Sequence, residues 1–119
     1  MTTTTITVSL NTSADPPVTV NTPTLVITST GEQTIQWVPG GSTSFTFTSL
    51  QVLTSPNPIT VGPITGSLIT AQDDNDTPGT FTYPYRIVVT ANGVQYSTDR
   101  QGTTGDDPGD PRVENKDNE

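Results

Sequence analysis

The sequence of 119 residues contains no histidine and no cysteine, and it has a single methionine. Histidine is the usual base that activates a serine or cysteine nucleophile, so the common hydrolase triads cannot be assembled. Zinc sites are built mainly from cysteine and histidine, and blue-copper sites need both, so we expect neither zinc nor copper. These absences argue against an enzyme and leave oxygen-ligand sites, such as those of calcium, as the remaining metal chemistry.

Positive charge is also scarce. Four Lys and Arg residues face twelve Asp and Glu residues, which gives a net charge of −8 at pH 7. Nucleic acids and anionic membrane surfaces are bound through clusters of basic side chains, so we expect neither as a partner. No apolar run approaches the roughly 18 residues of a membrane span, and no basic N-terminal region precedes an apolar one. We therefore expect no transmembrane segment and no signal peptide in the chain as given, and its localisation stays open.

Threonine is abundant, and it lies in segments where apolar and polar residues alternate. This period of two is typical of strands with one buried face. The longest such segment covers residues 81–89, and it leads through Asn92 and Gly93 into residues 94–98. Asn-Gly suits the positive φ angles of a type I′ turn, so we predict a hairpin there. Pro84 lacks an N–H group, which predicts an edge or a bulge at its position.

About eight alternating segments, separated by proline and glycine, predict an all-β fold. We expect an antiparallel Greek-key β-sandwich of about seven to nine short strands. The apolar pattern stops after Thr98, and the segment that follows is acidic and rich in glycine. We therefore predict one sandwich domain over residues 1–100 and a disordered acidic tail over residues 101–119.

Two segments carry a resemblance to a known kind of sandwich. Residues 76–83 read Asp-Thr-Pro-Gly-Thr-Phe-Thr-Tyr and resemble the start of the penultimate strand in bacterial cupredoxin-like and immunoglobulin-like domains. Residues 34–38, followed by a Gly/Ser turn and Phe45, are similar to the cupredoxin segment that leads to the first copper-binding histidine. The resemblance spans residues 24–98, and it implies a cupredoxin-like or immunoglobulin-like scaffold.

The chain departs from cupredoxins at the copper ligands. Pro84 and Tyr85 stand where the resemblance places a cysteine, and residues 42–44 (Ser-Thr-Ser) stand where it places the first histidine. The resemblance therefore implies the scaffold without the copper site or electron transfer. In immunoglobulin-like relatives a tyrosine near the start of this strand forms a tyrosine corner, a role that the resemblance gives to Tyr83.

One short acidic segment has possible chemistry. Its candidate calcium ligands are Asp73, Asp74, Asn75 and Asp76. Oxygen ligands at this density suit Ca²⁺, and residues 73–77 also resemble the calcium-binding linker of cadherins, although here they precede a hairpin rather than join two domains. The alternative is a solvated turn that caps two strands. A carboxylate pair for glycoside hydrolysis is a further reading of the same segment.

Aromatic side chains are a second candidate feature, because an exposed ring can form a sugar-binding platform. On alternation, Trp37 shares a face with Ile35, and Tyr83 and Tyr85 share one with Phe81 and Ile87, so we expect them in the core. Tyr96 is the best candidate for exposure. Arg86 is expected to point outward from the same strand, as a lone surface cation or a guard of a sheet edge.

These observations favour a noncatalytic interaction or structural module. The alternative is a calcium-stabilised or carbohydrate-binding module that uses the segment from Asp73 to Thr77, and an enzyme using Asp carboxylates is a third hypothesis. The expected partner is a protein or a glycan. The oligomeric state is left open.

Overall fold

The computed structural model describes residues 3–14, 16–28, 31–54, 57–75, 79–99 and 111–116. These residues form ten strands and no helix, so the all-β prediction is confirmed. The strands are β1 (Thr3–Leu10), β2 (Val18–Val20), β3 (Thr24–Ile27), β4 (Gln33–Pro39), β5 (Thr46–Val52), β6 (Ile59–Thr65), β7 (Leu68–Asp73), β8 (Phe81–Ala91), β9 (Val94–Ser97) and β10 (Arg112–Asn115). Within these ranges no helix has the length and apolar character that a membrane span requires.

The strands form two five-stranded sheets. The first has the order β2-β1-β4-β7-β6, and the second has the order β3-β10-β8-β5, with β9 paired to β8. Each sheet contains one parallel pair, β1 with β4 and β3 with β10. The expected purely antiparallel arrangement is therefore wrong. The physical reason is that the chain passes from β2 to β3 in the other sheet and back to β4, a crossover that permits parallel pairing.

β10 corrects the prediction of a disordered tail over residues 101–119. This strand lies between β3 and β8, and its Val113 side chain is only 1% exposed. Val113 is the one apolar residue of β10, so the sequence shows no alternation that would predict a strand there. The strand forms because β3 and β8 supply backbone hydrogen-bond partners on both of its sides. A domain that ended at residue 100 would therefore lack β10, a central strand of its sheet. Residues 101–110 and 117–119 lie outside the described residues.

A single hydrophobic cluster joins the two sheets, an arrangement compatible with a β-sandwich. It is formed by alternate side chains, which confirms the predicted period of two. In β8 the buried residues are Tyr83, Pro84, Tyr85, Ile87, Val89 and Ala91. Phe81 departs from the expectation, since it is 42% exposed at the start of the strand. Tyr96 departs in the opposite sense, because it is partly buried and packs against the cluster.

The centre of the cluster holds one polar contact between the sheets. Trp37 of β4 donates its indole N–H to the Tyr85 hydroxyl of β8 over 3.1 Å. The two rings meet edge to face, with centroids 5.4 Å apart and planes inclined by 71°. Burial raises the pKa of the Tyr85 hydroxyl well above its usual range, and the hydrogen bond from Trp37 offsets part of that rise. Tyr85 therefore stays protonated in the folded protein.

Two local predictions about β8 have different outcomes. The type I′ turn is confirmed, because Asn92 has φ 52° and Gly93 has φ 78°. Pro84 lies neither at a sheet edge nor at a bulge, since β8 is flanked by β5 and β10. Leu53, just after the end of β5, donates its N–H to the Pro84 carbonyl over 2.8 Å. Pro84 therefore lies where the pairing of β8 with β5 ends, so its missing N–H does not interrupt the hydrogen bonds between the two strands.

We expect Tyr85→Phe to lower the free energy of unfolding by about 1–3 kcal/mol, because it leaves the buried Trp37 N–H without its acceptor. Urea denaturation monitored by Trp37 fluorescence measures the change. The matched control is Tyr96→Phe, which removes a hydroxyl from a partly buried ring and should cost under about 0.5 kcal/mol. Equal losses in the two variants would contradict a stabilising role for the Trp37–Tyr85 contact.

Candidate functional site

The acidic segment begins at the end of β7, where its residues point in different directions. Asp73 is the last residue of β7 and its side chain is fully buried, whereas the next residue, Asp74, is exposed. This follows from the pleat of a strand, in which successive side chains point to opposite faces. Asn75 turns back toward the interior and is 4% exposed. Asp76 lies outside the described residues.

The buried carboxylate of Asp73 links the two sheets. Its Oδ1 atom accepts a hydrogen bond from the Asn115 side-chain amide of β10 over 2.8 Å. The same oxygen accepts the backbone N–H of Asn75 over 3.1 Å. The second bond requires a tight turn, which Asn75 provides with φ 40° in the left-handed region that asparagine tolerates. Hydrogen bonds to an ionised carboxylate are among the strong ones, so this pair of donors suits a buried aspartate.

Further buried polar groups surround this bridge. We refer to Gln33, Asp73, Asn75 and Asn115 as the polar cluster; all four are buried. Gln33 of β4 lies opposite Asp73 in the sheet and donates its side-chain amide to the Gly31 carbonyl over 3.2 Å. Gly31 in turn donates its backbone N–H to the Asn75 carbonyl over 3.3 Å. The cluster therefore closes one end of the apolar core with groups that bond to one another.

Tyr83 lies near the polar cluster and responds to its charge. It is paired with Val113 of β10, two residues before Asn115. Burial raises the pKa of Tyr83, and the nearby carboxylate of Asp73 raises it further. The hydroxyl of Tyr83 is therefore held in its neutral form beside an acidic group.

This geometry separates the candidate calcium ligands that the structure describes. Asp73 is directed inward and Asp74 outward, so the two carboxylates do not converge on one ion. Among the described residues there is no group of three or more Asp, Glu, His or Cys side chains that could hold a metal ion. Since Asp76 is outside that part of the chain, the calcium site of Asp73, Asp74, Asn75 and Asp76 stays a prediction.

Arg86 has a partner that the sequence did not predict. Its guanidinium forms an ion pair with the carboxylate of Asp99, and both side chains are largely buried, at 21% and 11% exposed. Arg86 is therefore neither a lone surface cation nor an edge guard. The two residues meet because β8 folds back at Asn92 into β9, which brings the chain after β9 alongside Arg86.

The outer face of the first sheet is uncharged. We call its polar part the threonine face, defined by Thr3, Thr5, Thr34, Gln36, Thr60, Thr70 and Gln72. Within it the Thr34 hydroxyl donates to the Gln72 side-chain carbonyl over 2.9 Å. Hydroxyl and amide groups on neighbouring strands thus form rows without a Lys, Arg, Asp or Glu among them.

Two surface depressions contain no ionisable groups. One of about 90 Å³ is lined by Pro16, Val18, Thr19, Val20, Pro23, Thr98 and Pro111. The other, of about 210 Å³, is lined by Pro39, Gly40, Gly41, Thr43, Ser44 and Phe45. None of these residues can act as a general acid, a general base or a charged ligand anchor.

Two of the four residues of the polar cluster could not be identified from the sequence. Asn115 lies in the segment predicted to be a disordered tail, and Gln33 occupies a position where alternation alone places no function. A pairing of Asp73 with Asn115 joins residues 42 apart, so no local motif could indicate it. No protein-family model matches the chain, and no curated protein matches it.

Replacing Asn115 by Ala should destabilise the protein by about 1–3 kcal/mol, because a buried charged acceptor loses a donor. The control is Gln95→Ala, which removes a side-chain amide of similar size from an exposed position on β9. Thermal unfolding followed by circular dichroism compares the two variants. If both melt at the wild-type temperature, the Asp73–Asn115 bridge does not stabilise the fold.

Proposed function

We propose that this chain is a noncatalytic β-sandwich module that acts by binding a protein partner at its surface. The observation that carries the proposal is the burial of the Asp73 carboxylate. The one segment with possible chemistry places its first carboxylate inside the protein, where Asn115 and the Asn75 backbone hold it as a structural link. The acidic segment therefore contributes to the architecture, and the exposed strands are left as the functional surface.

The same geometry argues against an enzyme that uses paired aspartates. Such an enzyme needs two carboxyl groups that face one substrate across a separation of about 5–10 Å. Asp73 and Asp74 point to opposite faces of the chain, and Asp73 has no exposed surface. Asp99, another described aspartate, is engaged by Arg86.

The scaffold in this proposal is related to cupredoxin-like or immunoglobulin-like domains. Its support is that β8 begins at Phe81 and that Tyr83 is buried near the start of that strand. Against it, β9 and β10 both follow β8, so β8 is not the penultimate strand that the resemblance implies. The immunoglobulin arrangement consists of two antiparallel sheets. The parallel pairs in both sheets of this protein therefore favour the cupredoxin-like alternative.

The outer edge of β3 is the surface best suited to a partner. Among the described strands β3 is the last of its sheet; Pro23, just before β3, and Ile27, at its end, direct their carbonyls to β10. Alternation therefore directs the backbone groups of Thr24 and Val26 away from β10, where an extended segment can pair with them. The Val26 side chain adds an apolar contact, since it is 43% exposed. We propose that the partner supplies an extended strand with an apolar residue over Val26.

A glycan partner has weaker support. Sugar platforms are built from exposed aromatic rings, whereas Trp37, Tyr83 and Tyr85 are buried and Tyr96 is partly buried. Phe81 is the most exposed of the described aromatic side chains, and it has no polar group to orient a sugar.

Val26→Pro tests the edge directly, because proline removes the N–H that would pair with a partner strand. Val26→Thr is the matched control, since it keeps the N–H and a β-branched side chain. We expect capture of a partner from extracts of the source organism by the wild type and by Val26→Thr, and loss of that partner with Val26→Pro at an unchanged melting temperature. The same purified proteins are compared by sedimentation for self-association.

Two results would count against the proposal. Undiminished binding by Val26→Pro would exclude the β3 edge as the binding surface. A monomer that captures nothing at high concentration would contradict the interaction module as a whole.

The alternative is the calcium-stabilised or carbohydrate-binding module, for which Asp74 is the exposed ligand candidate. We expect no rise in melting temperature when excess Ca²⁺ replaces EDTA, because Asp73 is already bonded within the core. Calcium at a hundred times its dissociation constant would add about 2.7 kcal/mol. A rise that is lost in Asp74→Ser and kept in Glu32→Ser, which also removes an exposed carboxylate, would favour the calcium alternative. These variants leave Asp73 intact, so the result is not confused with loss of the polar cluster.

A further inference from the structure

The tip of the β8–β9 hairpin is exposed and carries an Asn-Gly pair. Asn92 and Gly93 are both exposed, and both have positive φ angles, 52° and 78°. A Cβ atom placed on Gly93 would have no neighbouring atom within 4 Å. Apart from the two adjacent residues of the chain, no described atom therefore crowds the side-chain position of Gly93.

Asn92 differs from four other asparagines in how its side chain is held. Four others have their carboxamides in hydrogen bonds with described residues: Asn11, Asn21, Asn57 and Asn115. The strand residues on either side of Asn92 belong to the described part of the chain. Among the described residues, the Asn92 carboxamide makes no such bond. Asn92 is also the one asparagine of the sequence that is followed by glycine.

From this combination we propose that Asn92 is a site of spontaneous deamidation. The backbone nitrogen of Gly93 attacks the side-chain carbonyl carbon of Asn92, and a C–N bond forms that closes a five-membered succinimide ring. The bond from that carbon to Nδ2 breaks, and the nitrogen leaves as ammonia with the proton lost by the Gly93 amide. Water then opens the ring at either carbonyl and yields aspartate or isoaspartate. Glycine allows this attack because it has no Cβ to obstruct it.

The folded hairpin controls the rate. Ring closure requires the Asn92 backbone to leave the type I′ geometry, so the tip must open first. β9 is a short strand that pairs only with β8 among the described strands, and Val94 beside the turn is 50% exposed. The base of the hairpin is held more firmly, since Thr98 and Ile87 exchange two hydrogen bonds of 3.1 and 3.2 Å. Local opening of the tip can therefore occur without opening the core.

The products change the hairpin in two ways. Either product adds one negative charge to an acidic protein at the tip of β8 and β9. Isoaspartate also adds one backbone carbon to a two-residue turn whose geometry fits the twist of the strands. We expect the pairing of Val94 with Ala91 to be lost in the isoaspartate form, and Tyr96 to lose part of its packing.

The experiment is incubation of the purified full chain in mildly alkaline buffer, with peptide mapping by mass spectrometry and enzymatic labelling of isoaspartate. We expect conversion at Asn92 to exceed that at Asn11 and Asn21 in the same sample by several-fold. Conversion at Asn92 no faster than at those residues would overturn the proposal. A parallel sample in urea should convert faster, and an equal rate in urea would contradict control by the folded hairpin.

Gly93→Ala gives an independent check, because its methyl group obstructs the attack. This variant should slow the reaction several-fold when both proteins are compared in urea, where strain at the positive φ of residue 93 has no influence. Val94→Ala is the matched control, since it alters the next residue and keeps the Asn-Gly pair; it should convert at the wild-type rate in urea. An unchanged rate in Gly93→Ala would exclude the succinimide route.

Discussion

The contact between Trp37 and Tyr85 fixes how the two sheets face each other, and the remainder of the core is arranged around it. Without cysteine the chain has no covalent link between its layers, and most other buried side chains are aliphatic groups that can slide over one another. A hydrogen bond between two rings that meet edge to face has one favourable geometry. The contact therefore sets the position of β4 over β8, and the alternating side chains of the neighbouring strands fill the space that this position leaves.

The polar cluster adds a second fixed point at one end of the same core. Asp73 and Asn115 belong to different sheets, so their hydrogen bond can form only when β7 and β10 are aligned. Buried polar groups cost free energy when they are left without partners, which penalises other alignments of the two sheets. An acidic segment that resembles a cation-binding site in sequence thus has a structural use for its first carboxylate. The threonine face and the β3 edge lie outside this polar link, and it is the β3 edge that we propose as the binding surface.

Features that depend on neighbours in the chain could be predicted from the sequence. The alternation of apolar residues predicted the strands and placed Trp37 and Tyr85 in the core, and Asn92-Gly93 predicted the hairpin turn. Features that depend on distant partners could not. Val113 lies in a short polar stretch that becomes a strand only because β3 and β8 flank it. The inward direction of Asp73 depends on where β7 ends, and its partner Asn115 is reached only through the completed fold. The candidate site was therefore located in the sequence, but the orientation of its carboxylates was not.

The polar cluster also determines where the first and last strands lie. Thr3, at the start of β1, pairs with Thr34, and the neighbouring Gln33 pairs with Asp73, which is bonded to Asn115 at the end of β10. The beginning of β1 and the end of β10 therefore lie at the same end of the molecule, and the turn at Asn92 lies at the far end of β8. Along β8 the β8–β9 tip and the polar cluster are thus opposite poles of the described fold, so a change at the tip leaves the polar link between the sheets untouched.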